Sequence, residues 1–227
     1  QDVKATTYYN LTLSNSGAKT TTGSTVNGIL SLEGTATTSG TVATYGAGAT
    51  LQYKGSALQT TGIEFPATFA GTGGVIIDNA SGVNLGGSKT ITYNLAFTSG
   101  PLNIGANTLT LNGTVSTTTG TLTGGATSNL TIGGNNTAAM TLPNLTGGLQ
   151  DFTLNKTGTN NTVTLGGALS VGGVATFTAG QLNTSNDITF NGTTVCGGSI
   201  NATGGTATYS ATATNIIAGT YYNLVTP

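Results

Sequence analysis

Histidine, arginine and tryptophan are absent from this chain, and only 5% of its residues carry a charge, against about 25% in an average globular protein. Without histidine there is no Ser/His or Cys/His nucleophile pair and no imidazole metal ligand. Proton transfer at neutral pH loses its commonest agent. The five lysines (Lys4, Lys19, Lys54, Lys89 and Lys156) are scattered and the net charge is -1. Nucleic acids and anionic membrane surfaces are bound through clustered basic residues, so neither is expected as a partner. No apolar run reaches the 18 or more residues of a spanning helix, which argues against membrane insertion. The expectation is a non-enzyme with no cofactor and no metal. The single cysteine rules out an internal disulfide, and in Thr194-Val195-Cys196 it is expected to be a small buried apolar side chain.

What the chain has instead is glycine (37 of 227 residues) and about 50 threonines. Such a composition suits a disordered linker, but 36% of the residues are hydrophobic. They alternate with Thr or Asn, as in Leu11-Thr12-Leu13, Thr108-Leu109-Thr110-Leu111 and Asp187-Ile188-Thr189-Phe190. Alternation at period two gives one apolar and one hydroxylated face, the pattern of a half-buried strand. Turns rich in Gly and Asn, such as Gly71-Thr72-Gly73-Gly74 and Gly133-Gly134-Asn135-Asn136, separate short strands, and no segment carries a helical apolar stripe.

The sequence also repeats. Phe97-Thr98-Ser99-Gly100-Pro101-Leu102-Asn103, followed by Asn107 to Gly113, returns as Phe177-Thr178-Ala179-Gly180-Gln181-Leu182-Asn183, followed by Asn186 to Gly192. A looser copy aligns Val26 to Leu32 with Val171 to Phe177. The implied module is about 65–80 residues long. It divides one domain, 1–227, into modules 8–73, 74–150 and 151–220, with a further module starting at 221–227. Consecutive sandwich domains and a β-solenoid both fit many short strands. The repeat is shorter than a sandwich of about 100 residues and lacks its Trp and Cys pair, which favours an all-β solenoid (β-helix). At about 20 residues per coil the chain makes about 11 coils.

Candidate chemistry is sparse. Glu33, Glu64, Asp78, Asp151 and Asp187 are the carboxylates that a glycosidase-like pair would draw on, but each is isolated in sequence. None of the aspartates lies in a calcium-binding nonapeptide. Sequons at Asn10, Asn79, Asn112, Asn129 and Asn191 arise by chance in a chain so rich in Asn and Thr. Thr162-Val163-Thr164, Thr206-Ala207-Thr208 and Thr212-Ala213-Thr214 could build hydroxyl ladders of an ice-binding kind, or serve as ordinary outward β-branched residues.

Tyr8-Tyr9-Asn10-Leu11-Thr12-Leu13, the run Leu130 to Asn135, Phe152 to Lys156 and Leu169 to Gly173 together resemble the repetitive surface proteins and adhesins of Bacteroidetes-type bacteria. The resemblance implies an exported bacterial protein, extracellular or at the cell surface, with its leader already removed and a role in adhesion or surface structure. Ala5 to Leu11 and Ala218 to Leu224 also resemble each other, and no capping segment is evident at either end. Tyr8, Tyr9, Asn10, Leu11, Tyr221, Tyr222, Asn223 and Leu224 are therefore the candidate subunit interface. The expected function is a structural subunit of an extracellular filament or surface layer, self-assembling head to tail through the solenoid ends. Its partners would be copies of itself, with other surface proteins or polysaccharide as further candidates. The alternative is a monomeric adhesin or ice-binding solenoid using its Thr-rich faces.

Overall fold

The computed structural model describes all residues of the chain except 136, 137, 211 and 214. It is all-β: short parallel strands stack into a β-solenoid of about 11 turns. Successive stacked residues lie between 17 positions apart (Ala207 to Leu224) and 24 (Leu51 to Val75), so the coil length varies around the expected 20. Residue contacts group into two compact units, Gln1–Asn103 with Ser116–Gly120, and Ile104–Val115 with Thr121–Pro227.

In the first unit, strands Leu11–Leu13, Ile29–Ser39, Thr50–Gly55, Gly74–Asp78 and Leu95–Ser99 stack in parallel register. Register converts the alternating sequence into columns. Leu11, Leu30, Leu51, Val75 and Leu95 form one inward column, and Leu13, Leu32, Tyr53, Ile77 and Phe97 form the next. From Leu30 onward every member of both columns is buried. Each large side chain so buried contributes about 1.5–3 kcal/mol of transfer free energy. Leu11 and Val75, in the opening strands of the modules 8–73 and 74–150, lie three coils apart in one column. A three-stranded face, Thr7–Tyr8, Thr25–Val26 and Thr44–Tyr45, covers a second side.

In the second unit the same logic stacks Leu109, Leu130, Phe152, Ala175 and Thr194. A second face carries Leu169, Ile188, Ala207 and Leu224, and a third carries Met140, Val163, Leu182, Ile200 and Gly219. Aromatic rings meet inside it, with centroids 5.8 Å apart for Phe152 and Phe177, 6.1 Å for Phe177 and Phe190, and 4.9 Å for Phe190 and Tyr209. Edge-on and tilted contacts at these separations add to the gain from burial.

The sequence repeat is a structural repeat. Leu95–Ser99, a corner at Gly100 and Pro101–Asn103 have the same order as Ala175–Ala179, a corner at Gly180 and Gln181–Thr184. The two corner glycines have φ of 77° and 100°, a region that side chains disfavour. At Gly100 a Cβ would also stand 1.8 Å from the carbonyl oxygen of Asn79 in the coil beneath.

Cys196 corrects an expectation. Its alternation is inward, since it stacks on Phe177, but the thiol is exposed. Among the described strands, the ladder stops at Thr194–Cys196, so no further strand covers it. Partial desolvation still pushes the thiol's pKa up.

Candidate functional site

Two features stand out once the columns are in place: a recurring corner bond, the Asx spine, made by Asn and Asp side chains in three separate columns, and the strands Leu11–Leu13 and Asn223–Val225, each last in its column among the described strands. Each spine residue directly precedes an inward apolar side chain. The Oδ1 of Asn10 accepts the N–H of Ile29 in the next coil at 2.8 Å, and Asn129 accepts that of Asp151 at 3.1 Å. Asp151 in turn accepts the N–H of Val174 at 2.7 Å, and Asp187 that of Thr206 at 2.8 Å. Each bond satisfies a backbone donor at an exposed or part-buried corner and ties it to the neighbouring coil. The looser repeat seen in sequence, Val26 to Leu32 against Val171 to Phe177, has its physical basis here: Gly28 and Gly173 donate to Tyr9 and Gln150, one step ahead of Asn10 and Asp151.

The carboxylates are therefore dispersed among separate jobs. Asp151 and Asp187 belong to the spine. Asp78 accepts from the Ser99 hydroxyl at 3.2 Å, and Glu33 accepts from Ser31 at 3.2 Å while stacking beside Lys54. Glu64 is the exception, because it is buried with 1% exposure. It accepts the Thr38 hydroxyl at 2.5 Å, the Tyr53 hydroxyl at 2.7 Å and the Gly62 N–H at 2.7 Å, while Tyr45 donates to its backbone carbonyl at 2.6 Å. Burial first, and then the Glu64 charge, push the Tyr45 and Tyr53 hydroxyls far above the ordinary tyrosine range. Lys89 donates to the Phe65 carbonyl and lies 5.1 Å from that ring's centroid. Burial lowers its pKa, and the Glu64 charge opposes that shift. The cluster pins the 61–66 loop to the coil wall. Nothing in the sequence marked Glu64 out from the other carboxylates, since its donors come from residues as far back as Thr38. No group of three or more His, Cys, Asp or Glu side chains suited to a metal forms among the described residues.

The threonine runs do not share a face. Thr162 and Thr164 stack on Gln181 and Asn183, whereas Thr206 and Thr208 stack on Asn223 and Val225. Thr214 of the third run lies outside the described residues. The structure instead makes columns that the sequence did not reveal: Thr110, Thr131, Thr153 and Thr176 in one, Thr7, Thr25 and Thr44 in another, and Ser170, Thr189 and Thr208 in a third. The first is one residue wide, flanked by Thr108, Asn129 and Asp151 on one side.

The eight candidate interface residues fall into two sets. Leu11 is the first member of its inward column and only half-buried, and Tyr9 beside it is 76% exposed. Tyr8 is half-buried and donates to the Lys4 carbonyl, while the Asn10 side chain faces up the spine. A cavity of about 370 Å³ opens against this coil, its lining mostly polar, with Asp2, Lys4 and Lys19 beside Val3, Leu11 and Leu13. In the second unit, Leu224 ends the column of Leu169, Ile188 and Ala207. It is 42% exposed, whereas Ala207 beneath it is fully buried. Tyr222 is 69% exposed and Asn223 is exposed. Tyr221 is used internally, its hydroxyl 2.7 Å from that of Tyr209 and donating to the Ile217 carbonyl. The structure thus keeps Tyr221 within its own coil and leaves Tyr9, Asn10, Tyr222, Asn223 and Leu224 exposed, with Tyr8 and Leu11 half-buried.

No family model matches the sequence, and comparison with curated proteins and with solved structures finds no match.

Proposed function

We propose that this chain is a structural, non-catalytic subunit of an extracellular filament or surface layer, in which one copy's coil stack is continued by the next. The observation that carries the reading is the stack itself: successive coils bring apolar residues into continuous columns in parallel register, so that each coil is a template for another. Parallel strands at an open edge present unpaired backbone donors and acceptors together with such apolar surface, a template for another strand. A net charge of -1 on 227 residues opposes close packing of copies very little. A bacterial surface location rests on the resemblance of the repeats to those of surface proteins and adhesins.

Sedimentation velocity over a range of concentrations tests the reading. The unaltered chain is expected to shift to larger species as concentration rises, and Leu224→Glu, a change at a solvent-facing side chain, is expected to remain monomeric. A monomer at all concentrations for the unaltered chain overturns it.

The column of Thr110, Thr131, Thr153 and Thr176 favours a second reading, a monomeric adhesin or ice-binding protein that contacts a ligand through hydroxyls. It is the weaker of the two, because a single column presents a line rather than a flat array. Loss of thermal hysteresis or of surface adhesion in Thr131→Lys would support it.

A further inference from the structure

We infer that the gap between the strand edges at 36–38 and 58–60 is a docking slot for a short, extended and uncharged peptide segment, which adds a strand between two coils. The inference stands apart from the assembly reading, because both edges lie within one compact unit.

The stack opens after Gly55. Strand Ile29–Ser39 carries the next coil in register from Ile29 to Gly34, which pairs with Gly55. Beyond Gly34 the same strand is paired on one side only, with Ser16–Thr20. On its other side no described strand follows, since the chain turns away once the Ser56 N–H has bonded the Gly34 carbonyl at 3.1 Å. The chain is extended again at Gln59–Thr60, but that strand pairs with Val83–Asn84, in the coil beyond.

Alternation decides which backbone groups face the gap. The Thr35 N–H donates to Asn15 and the Ser39 carbonyl accepts from Thr21, so Thr35, Thr37 and Ser39 point toward Ser16–Thr20. Ala36 and Thr38, like Gly34, point the other way. On the opposite edge the N–H groups of Gln59 and Thr61 donate to Gly82 and Asn84, so those of Leu58 and Thr60 point back into the gap. Two edges thus turn backbone donors and acceptors toward each other, and no backbone bond among the described residues joins them.

A cavity of about 220 Å³ occupies the gap, lined by Ala36 and Thr37 from one side and Leu58, Gln59 and Thr60 from the other. Both rims are fixed. Gln59, 7% exposed, accepts the Gly55 N–H and the Asn79 amide, each at 3.0 Å, and donates to the Leu32 carbonyl at 3.2 Å. At the far end Glu64 holds the Thr38 hydroxyl at 2.5 Å. A preformed site spares an incoming segment part of the ordering cost.

The lining specifies the occupant. Opposed rows of backbone N–H and C=O groups are matched by another extended backbone, the mode of strand addition. No charged residue lines the cavity, so an uncharged segment fits. Ala36 and Gln59 are buried and leave room for a small inward side chain, whereas Leu58, 55% exposed, gives an outward β-branched residue an apolar neighbour.

Amide-resolved NMR tests this with the peptide acetyl-Thr-Val-Ala-Val-Thr-amide. In the free chain the Ala36 and Thr38 amides are expected to exchange with solvent about tenfold faster than those of Thr35 and Thr37, which the ladder protects. At about 5 mM peptide, above the roughly millimolar Kd that a few such bonds supply, their resonances and that of Thr60 are expected to shift and their exchange to slow about tenfold. Thr60→Pro removes a slot-facing N–H at an exposed position and leaves the Gln59 and Thr61 bonds, and is expected to weaken binding about fivefold. The same peptide N-methylated at both valines leaves the protein unaltered and is expected to shift none of these resonances. Ala36 and Thr38 amides as protected in the free chain as those of Thr35 and Thr37, resonances that stay unshifted by the peptide, or equal shifts with its methylated form would each overturn the slot.

Discussion

Glu64 and Asp187 look alike in the sequence, each a lone carboxylate near an apolar run, yet burial separates them. Glu64 receives three donors inside the protein, so removing its carboxylate strands the Tyr53 and Thr38 hydroxyls and the Gly62 N–H. Glu64→Ala is expected to cost about 3 kcal/mol in urea unfolding, the upper end of what unsatisfied buried groups cost. Asp187 makes one exposed bond to the Thr206 N–H. Asp187→Asn keeps an acceptor oxygen, as Asn10 and Asn129 show, and is expected to be neutral, whereas Asp187→Ala costs about 1 kcal/mol. Equal losses for the two Asp187 variants would mean that charge rather than hydrogen bonding matters at the corner. The Tyr45 and Tyr53 hydroxyls hold their protons more tightly in the folded state than in the unfolded one. The stability they confer is complete below the ordinary tyrosine pKa of about 10 and is lost as pH rises above it, because the unfolded chain then releases protons that the folded chain keeps. Unfolding free energy measured from pH 8 to 11.5 is expected to be flat and then to fall. Phenolate absorbance from these two rings should appear only with unfolding.

At the scale of strands and corners, much was legible from the sequence and the rest was hidden for a definite reason. Period-two alternation announced the inward strands, and the repeat of Phe97 to Asn103 in Phe177 to Asn183 located matching corners at Gly100 and Gly180. Those positions repeat because only glycine fits there. Gly100→Ala, which drives a Cβ against the Asn79 carbonyl at a φ of 77°, is expected to lose 2 kcal/mol or more. Gly87→Ala, where a Cβ meets nothing within 4 Å, is expected to change stability by less than about 0.5 kcal/mol. Similar melting shifts for the two would contradict the corner geometry. What the sequence hid is register. Coils of 17 to 24 residues shift each strand's neighbours by variable amounts, so neither the Thr110 to Thr176 column nor the donors around Glu64 can be counted off a fixed period. The exposure of Cys196 was hidden for a related reason: alternation tells which way a side chain points, and only the stack tells whether another strand covers it.

For the whole molecule, the proposed filament function follows from the way the solenoid is built: successive coils offer one another apolar columns and, at four corners, an Asx side chain that holds the next coil's backbone. A net charge of -1 on 227 residues leaves little like-charge repulsion to oppose packing through stacked columns. The most direct measurement is negative-stain electron microscopy of the purified chain beside Leu224→Glu, after circular dichroism has shown both to be folded. The account predicts thin fibres from the unaltered chain and dispersed particles from the variant. Dispersed particles from both, or fibres undiminished by a buried charge at Leu224, would contradict it.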